Sequence, residues 1–468
     1  MNQKQMPLYE TLIHFAQQEP ISFHVPGHKN GEIYPAKDFY DRILKLDLTE
    51  LPGLDDLHSP TGAIAEAQQL AADFFKADHT FFLTGGSTAG NLAMLLAACS
   101  SGDKVIVQRN CHKSILNGLE LAGAHPVFIS PGYDETVGRY TNPEIHTLET
   151  ALQEHPEARA VMLTYPDYFG KTFPIQEMIE AAHERDIPVL VDEAHGVHFS
   201  LGEPFPLSAL FLGADAVVQS AHKMAPAMTM GAFLHVKSSR ISKEKLGYYL
   251  QMVQSSSPSY PIMASLDISR YFLASMHFQK IQEVLESAVQ VKKRLQAADH
   301  WQLVPSDDPL KLTLQVKKGI SAKETAALFE QEKVYPELIT HNQILFIHGL
   351  APFAHIKRLE KTIKTVNGQL KKQANHGTIV RNDLFLNPMQ ELELSYSEMH
   401  QIKQELVPFH KAIGYIAAEA IIPYPPGIPL ILKGEIVTEA HMDMIKHLQA
   451  QGVSIQKWNK HGMMIFRQ

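Results

Sequence analysis

Cysteine is nearly absent from this sequence. Only Cys99 and Cys111 occur in 468 residues, which excludes a disulfide framework and is typical of a reducing compartment. Long apolar runs are lacking as well: LAMLLAAC (92–99) is far shorter than the roughly 20 residues that cross a bilayer. The N-terminal stretch MNQKQMPLYETLIHFAQQ has no basic region followed by an apolar one. We therefore expect no signal peptide and a soluble cytoplasmic protein.

An excess of positive charge is also missing, because 42 Lys and Arg face 50 Asp and Glu, for a net charge of -8. Binding to nucleic acid or to an anionic membrane is therefore not expected. The glycine-rich stretch FLTGGSTAGN (82–91) fits neither G-x-x-x-x-G-K-[ST] nor G-x-G-x-x-G, the two common nucleotide signatures. What is present is an ordinary globular composition, 45% apolar and 20% charged, in a chain long enough for two domains.

Short apolar segments alternate with helical segments from about residue 60 onwards. Most are rich in β-branched residues and apolar throughout, as are strands that are covered on both faces. This alternation predicts an α/β fold with a mostly parallel, seven-stranded sheet. The predicted strands are TFFLT (80–84), KVIVQ (104–108), HPVFIS (125–130), AVMLTY (160–165), PVLVD (188–192), DAVVQ (215–219) and GAFLHV (231–236).

A single long amphipathic helix is predicted over residues 270–300. Beyond it, shorter strands such as LKLTLQV (310–316) and helices such as AKETAALFEQ (322–331) predict a smaller α+β domain. We therefore place a domain boundary near residue 295, between a major domain of residues 1–295 and a C-terminal domain of residues 296–468.

Polar residues follow three of the predicted strands. Asp192 ends one strand, Lys223 follows another, and Gly86, Ser87 and Thr88 open a helix after a third. Ligands of open α/β sheets bind beyond the carboxyl ends of the strands. Free N–H groups at a helix start and two hydroxyls suit a phosphate. A plain helix cap by Ser87 explains that turn equally well.

Pyridoxal phosphate carries a group for each of these residues. Its phosphate suits the helix start, its ring nitrogen suits Asp192, and its aldehyde suits Lys223. The alternative is a buried ion pair between Asp192 and Lys223, and the phosphate turn favours the cofactor over it. His195 and His198 near Asp192 suggest a metal, but no further ligand follows at a suitable spacing. We predict pyridoxal phosphate and no metal.

Six motifs resemble those of the ornithine/lysine/arginine decarboxylase family, a branch of the aspartate-aminotransferase-like, fold-type I pyridoxal enzymes. The resemblance runs from about residue 6 to the C-terminus and is to the short bacterial form, which lacks an N-terminal wing domain. The motifs are FHVPGHKNG (23–31), TELPGLDDLHSPTG (49–62), RNCHKS (109–114), DEAHGVHF (192–199), QSAHK (219–223) and YPPGIP (424–429).

The resemblance implies a role for each residue at a motif position. Lys223 would bind the cofactor as a Schiff base, and Asp192 would pair with the ring nitrogen. His112 would stack on one face of the ring and Ala194 would pack on the other, which makes Lys223, His112 and Asp192 the expected catalytic residues. The phosphate would contact the Gly86 backbone, Ser87, Thr88, Ser220, His222 and, from the neighbouring subunit of a homodimer, Ser256 in QSSSPSY (254–260).

The implied reaction is loss of the α-carboxylate from a basic amino acid, giving a polyamine or its precursor. Arginine or lysine is expected ahead of ornithine. A basic side chain needs carboxylates around it, and Asp55, Asp56 and Asp167 are the candidates, although a turn explains Asp55 and Asp56 equally well. Asp167 lies in TYPDYFG (164–170), where relatives commonly carry N-P-T-Y-x-G, so this departure leaves the substrate open.

Other functions stay open on the sequence alone. The same fold supports aminotransferases and lyases, and a catalytically silent protein that binds the cofactor is a further alternative. Carbon dioxide released with a diamine, and no keto acid, would distinguish a decarboxylase from the first two. The expected partners are a small basic amino acid and further copies of the chain, as a homodimer or a higher homo-oligomer.

Overall fold

The computed structural model describes residues 1–26, 28–33, 36–370, 387–424, 429–450, 454–456, 459 and 461–467. The chain separates into two compact units. Unit 1 comprises Met1–Ala98, Ala160–Tyr165 and Pro174–His277, and unit 2 comprises Cys99–Arg159, Pro166–Phe173 and Phe278–Gln468. No helix in these described ranges is long and apolar enough to cross a membrane.

The described strands are β1 (His79–Leu83), β2 (Lys104–Gln108), β3 (His125–Ile129), β4 (Tyr133–Asp134), β5 (Arg139–Tyr140), β6 (Val161–Thr164), β7 (Val189–Asp192), β8 (Ala216–Gln219), β9 (Ala232–Val236), β10 (Trp301–Val304), β11 (Lys311–Val316), β12 (Leu338–Ile339), β13 (Gln343–Ile347), β14 (Met389–Glu391), β15 (Gln404–Val407), β16 (Ile422–Tyr424), β17 (Ser454–Gln456) and β18 (Met463–Phe466).

The described helices are α1 (Pro7–Gln17), α2 (Lys37–Leu44), α3 (Ala63–Phe75), α4 (Gly86–Ala98), α5 (Lys113–Ala122), α6 (Ile145–Glu154), α7 (Ile175–His183), α8 (Ala221–Met224), α9 (Lys243–Val253), α10 (Tyr260–Ala274), α11 (Phe278–Leu295), α12 (Ala322–Gln331), α13 (Ile356–Gln369), α14 (Tyr396–Met399), α15 (Phe409–Ala412) and α16 (Glu439–Ala450), with a 3₁₀ helix at Val197–Leu201.

The sheet of unit 1 has the strand order β1-β9-β8-β7-β6. Strands β6, β7 and β8 run parallel, and β9 is antiparallel to both β8 and β1. Every residue of β7, β8 and β9 is buried, which explains why these strands are apolar throughout. Because β7 and β8 are parallel neighbours, their carboxyl ends lie at the same edge, where Asp192 is opposite Val218.

Unit 2 contains two larger groups of strands. Strands β2 and β3 are parallel, and β14, which the sequence did not predict, pairs with β3 in the antiparallel sense. A separate antiparallel sheet has the order β10-β11-β13-β12. Apolar residues of this sheet and of α11, α12 and α13 form its core, including Leu314, Phe329 and Val366. This is the predicted smaller α+β part of the chain.

The predicted fold class is confirmed. All seven predicted strands form, and the mostly parallel arrangement is present with β9 as the antiparallel exception. The boundary predicted near residue 295 stays a prediction, since the two compact units divide the chain at other positions.

The single helix predicted over residues 270–300 is wrong, because the structure has two. Helix α10 ends at Ala274 and α11 begins at Phe278. The Ser275 hydroxyl donates a hydrogen bond to the Phe272 carbonyl oxygen at 2.8 Å. Serine side chains that bond to the backbone in this way compete with continued helix.

Candidate active site

The predicted phosphate residues Ser87 and Ser220 meet at one end of the unit 1 sheet. Ser87 lies in the first turn of α4, and Ser220 directly follows β8. The Ser220 hydroxyl donates a hydrogen bond to the Ser87 hydroxyl at 2.9 Å. Thr88 follows in the same turn and is exposed. Two adjacent hydroxyls at the start of a 13-residue helix form a site suited to a phosphate.

Two glycines allow this arrangement. Gly86 has φ +71°, a backbone conformation that other residues rarely adopt. Its N–H donates to the Met230 carbonyl oxygen at 2.8 Å, so it is already used within the protein and is not available to a phosphate. One turn later, a Cβ on Gly90 would lie 2.5 Å from Cγ2 of Val218. Only glycine therefore lets α4 pack this closely on β8.

The carboxylate of Asp192 is buried, with 3% of its surface exposed. Its Oδ2 accepts a hydrogen bond from Asn91 Nδ2 at 2.8 Å, and its Oδ1 accepts one from the Ala194 N–H at 3.1 Å. Both hydrogen bonds come from neutral donors. A buried carboxylate held in this way fits the protonated nitrogen of a pyridine ring.

Lys223 lies in α8, one turn beyond Ser220. Its Nζ is 3.0 Å from Nε2 of His195. The alternative of an ion pair between Asp192 and Lys223 stays open, because the contact with His195 does not decide between the two interpretations. His195 is 6% exposed and comes three residues after Asp192 in the DEAHGVHF segment. The helix start, the carboxylate and the lysine all belong to unit 1, and their roles towards a cofactor stay predictions.

The remaining predicted cofactor residues of unit 1 have the following surroundings. Nδ1 of His222 is 3.0 Å from the Gly231 carbonyl oxygen. Ala194 is buried next to Asp192. Ser256 is exposed in the loop between α9 and α10. The Ser255 carbonyl oxygen beside it is 2.8 Å from Nε2 of His58, so this loop contacts the TELPGLDDLHSPTG segment.

His112 belongs to unit 2, where it is the residue before α5. Its Nδ1 accepts a hydrogen bond from the Ser114 N–H at 3.2 Å and lies 2.8 Å from the Ser114 hydroxyl. A nitrogen that accepts from a backbone N–H carries no proton, so the neutral ring has its proton on Nε2. The predicted stacking role of His112 stays a prediction.

The three acidic residues proposed for the substrate side chain differ in their contacts, and Asp55 serves the fold. Burial acts to raise the pKa of its carboxyl, but backbone hydrogen bonds outweigh this and hold the pKa below its usual value. A carboxylate with this many partners supports the turn before α3, as the turn interpretation expects. Hydrogen bonds of 2.8–3.1 Å reach it from the N–H groups of Asp56, Thr61, Gly62, Ile64 and Ala65.

Asp167 is also engaged within the protein. Its Oδ2 accepts hydrogen bonds from Nε and Nη2 of Arg139 at 3.2 and 3.0 Å. Its Oδ1 accepts from the N–H groups of Phe169 and Lys171 at 2.9 and 2.8 Å. Both oxygens therefore have partners inside unit 2, and the predicted substrate role of Asp167 stays a prediction. Oδ1 of Asp56 accepts a hydrogen bond from the His58 N–H at 2.8 Å.

A second polar network supports the end of β8. Oε1 of Glu193 accepts from the Ala209 N–H at 2.8 Å, and Oε2 accepts from Ser208 Oγ at 2.8 Å and Gln219 Nε2 at 2.5 Å. Gln219 Oε1 in turn lies 3.1 Å from Nε2 of His235. Burial raises the pKa of Glu193 to about 8 and lowers that of His235 to about 3. Gln219 immediately precedes Ser220, so this network orients the strand end that carries the site.

Two residues of the site were missed from the sequence alone. Asn91, which binds Asp192, lies on α4 one turn after Ser87, and a polar residue within the apolar run AGNLAMLL is the signal that was available. His195 was considered only as a metal ligand, whereas the structure makes it the partner of Lys223. In the described ranges no group of three His, Cys, Asp or Glu side chains could hold a metal ion. His198 packs instead against Phe199 and Phe205.

With this geometry in place, comparison with known proteins identifies the family. The model of the Orn/Lys/Arg decarboxylase major domain matches residues 6–313, and that of the C-terminal domain of the same family matches residues 378–459. The chain belongs to the Orn/Lys/Arg decarboxylase family. This membership confirms the predicted enzyme class, a decarboxylase of basic amino acids. Decarboxylases of this family are pyridoxal-phosphate enzymes.

Individual relatives cover nearly the whole chain. The uncharacterized protein YaaO of Bacillus subtilis (strain 168) is 42% identical over 460 residues, 96% of this chain and 95% of that protein. An arginine decarboxylase of the same organism is 35% identical over 473 residues, 97% of this chain and 96% of its own length. The solved constitutive lysine decarboxylase of E. coli has a TM-score of 0.83 at 19% identity and covers 99% of this chain and 82% of that one. At that identity the last comparison supports the fold alone.

The YPPGIP motif lies mostly outside the described residues, which resume at Pro429. Gly27 of FHVPGHKNG also lies outside the described residues.

Proposed function

We propose that this protein removes the α-carboxylate of arginine, with pyridoxal phosphate bound to Lys223. Lysine is the second candidate substrate and ornithine the third. The observation that carries the proposal is the convergence of Ser87, Ser220, Asp192 and Lys223 at the carboxyl ends of β7 and β8.

The residues present fit the cofactor. When bound, pyridoxal phosphate supplies an electron sink for the electron pair that the departing carboxylate leaves behind. Asp192 holds the proton on the ring nitrogen, and Asn91 orients the Asp192 carboxylate by its 2.8 Å hydrogen bond. Ser87 and Ser220 hold the phosphate, together with the N–H groups of the first turn of α4. Lys223 binds the aldehyde carbon through its Nζ.

The relatives support arginine as the substrate. A protein 35% identical along almost its whole length is an arginine decarboxylase, whereas the lysine decarboxylase compared above supports only the fold. Asp56 is the proposed partner for the basic side chain, because Asp55 and Asp167 are engaged by several internal hydrogen bonds each. A carboxylate is the natural partner of a guanidinium, which it can bind through two parallel hydrogen bonds.

We further propose a homodimer with shared active sites. Ser256 is exposed, as a residue that reaches a neighbouring subunit must be in one isolated chain. Nε2 of His58 lies 2.8 Å from the Ser255 carbonyl oxygen, and the Tyr260 hydroxyl donates to the Asp55 carbonyl oxygen. If Ser256 extends to the partner's phosphate, the turn that contains Asp56 therefore also lies near the partner's active site. Both cysteines are buried, which is consistent with the cytoplasm as the proposed location.

Product identification tests the function directly. Purified protein loaded with pyridoxal phosphate is incubated separately with arginine, lysine and ornithine, and carbon dioxide, amine and keto acid are measured. We expect carbon dioxide and the decarboxylated amine from arginine, and neither from a Lys223→Ala variant. A keto acid without carbon dioxide would indicate an aminotransferase. Cofactor binding with no product from any of the three would indicate a silent binding protein.

A further inference from the structure

We propose that His195 is a positioning residue for Lys223. Nε2 of His195 holds the lysine amine whenever that amine is not bonded to the cofactor. The proposal deepens the function proposed above and rests on it for the role of Lys223. The contact itself depends only on this chain, since Nζ of Lys223 and Nε2 of His195 are 3.0 Å apart.

The backbone around His195 gives the ring a defined position. The Gly196 N–H donates to the Glu193 carbonyl oxygen at 3.0 Å, closing a turn around His195. A Cβ on Gly196 would lie 2.6 Å from Cγ of Glu193, so the turn admits no side chain there. The 3₁₀ helix Val197–Leu201 follows at once. His195 is 6% exposed, so its ring has little freedom to turn away from Lys223.

The chemistry of the two groups fixes the direction of their hydrogen bond. A lysine ammonium has three donors and no acceptor, so Nε2 must accept and the imidazole must be neutral. An acceptor at this distance favours the charged lysine, and a protonated histidine would repel it. Other ionisable groups on the elements packed around them are Asp192, Glu193, His198, His222, His235, Asp267 and Arg270.

This contact would hold the Lys223 side chain in one position during turnover. Once a substrate amine had taken the place of Lys223 on a bound cofactor, the lysine amine would be released and could accept a proton. A long, flexible side chain would then sample many rotamers. The hydrogen bond to His195 would instead keep the ammonium near the end of β8, where Nζ would hold one proton.

The test uses the full chain without cofactor, so it needs neither substrate nor activity. Competitive labelling with acetic anhydride from pH 6 to pH 11, read by mass spectrometry of the Lys223 peptide, reports the fraction of uncharged Lys223. The exposed Lys245 in the same digest is the internal reference. The variants are His195→Gln, whose amide oxygen reaches the place of Nε2, and His195→Asn and His195→Leu, which leave no acceptor there.

We expect the labelling midpoint of Lys223 to fall by about one pH unit or more in His195→Asn and His195→Leu, since a hydrogen bond to a charged group is worth roughly tenfold or more. His195→Gln should stay near the wild-type midpoint, as should the control His198→Gln, which changes a buried histidine of the same segment. Either of the two variants without an acceptor suffices if the other fails to fold by circular dichroism.

An unchanged midpoint in a folded His195→Asn or His195→Leu protein would overturn the proposal. So would an equal shift in His195→Gln, because that result would assign the effect to bulk packing. Product identification on the wild-type enzyme is independent of this measurement. If no product forms but the Lys223 midpoint shifts in the variants, the proposed reaction is rejected and the His195 proposal stands. If product forms but the midpoint does not shift, the His195 proposal is rejected and the proposed reaction stands.

Discussion

The Ser220 hydroxyl donates a hydrogen bond to the Ser87 hydroxyl at 2.9 Å, which joins the residue after β8 to the first turn of α4. The two residues are 133 positions apart in the sequence. We expect Ser87→Ala and Ser220→Ala each to weaken cofactor binding by about 1.5–3 kcal/mol, typical of a lost hydrogen bond to a charged group. The double variant should lose less than the sum, because each hydroxyl orients the other. Equilibrium dialysis measures this, with Ser200→Ala as the control. Additive losses would contradict a shared site.

Asp192→Ala should retain part of the bound cofactor but lose most of the turnover, because the ring nitrogen would no longer be held protonated. Cofactor content by absorbance and kcat on arginine separate the two effects. Asn91→Ala should cause a smaller loss in kcat, since it removes one of the two hydrogen bonds that orient this carboxylate. Asp192→Glu keeps the charge and serves as the control. An Asp192→Ala enzyme with near wild-type kcat would exclude the proposed role.

Asp55 and Asp56 are adjacent and should behave differently. Asp55→Ala should lower the free energy of unfolding by about 1–3 kcal/mol, because backbone N–H groups at the start of α3 lose their acceptor. Asp56→Asn should leave stability unchanged and raise KM for arginine about tenfold or more. Urea unfolding and steady-state kinetics on both variants give the comparison. If Asp56→Asn has a wild-type KM, another group binds the basic side chain.

The pKa of Glu193, raised by burial to about 8 from an ordinary value of 4.5, predicts a pH dependence of stability. The folded chain holds this proton up to about pH 8, whereas the unfolded chain releases it near pH 4.5. Glu193 therefore contributes stability that is fully present below pH 4.5 and is lost as the pH rises towards 8, by roughly 1.4 kcal/mol per unit at most.

Glu193→Gln mimics the protonated carboxyl, so it should remove this part of the pH dependence. The measurement is the urea midpoint of the cofactor-free chain at pH 5.5 and pH 7.5. Exposed Glu177→Gln is the matched control and should keep the wild-type difference between the two pH values. Equal differences in wild type and Glu193→Gln would show that Glu193 is ionised in the folded protein at both pH values.

Shared active sites predict complementation between two inactive variants. Lys223→Ala removes the lysine, and Ser256→Glu places a carboxylate against the partner's phosphate. In a mixed dimer one site combines an intact lysine with an intact crossing loop, so random mixing should restore about a quarter of wild-type activity. Activity after joint refolding, with hybrid dimers verified by native mass spectrometry, is the measurement. Hybrids without activity, or an active enzyme that sediments as a monomer, would contradict the shared site.

The strand ends were predictable because apolar runs fix the strands and the next polar residue marks where each one stops. Asp192 and Lys223 were predicted in this way, whereas Ser220 was implied only by the family resemblance. The partner of each side chain was not predictable by the same logic. Asn91 and Asp192 are 101 positions apart, and no local pattern records which helix packs on which strand. The turn role of Asp55 and the pairing of Asp167 with Arg139 were open for the same reason, since a carboxylate in a loop looks alike in sequence whether it binds substrate or backbone.

The segment from Ser220 to Gly231 returns to the turn from which α4 begins. Ser220 is bonded to Ser87 at one end, and the Met230 carbonyl oxygen accepts from the Gly86 N–H at the other. The contact between His222 and Gly231 closes the segment on itself. Lys223 therefore lies in a loop that hydrogen bonds anchor at both ends. We expect the insertion or deletion of even one residue between 221 and 229 to displace the lysine. Among homologous enzymes this stretch should therefore keep a constant length, while the Ser255–Ser257 loop is free to differ in length wherever the subunit contact differs.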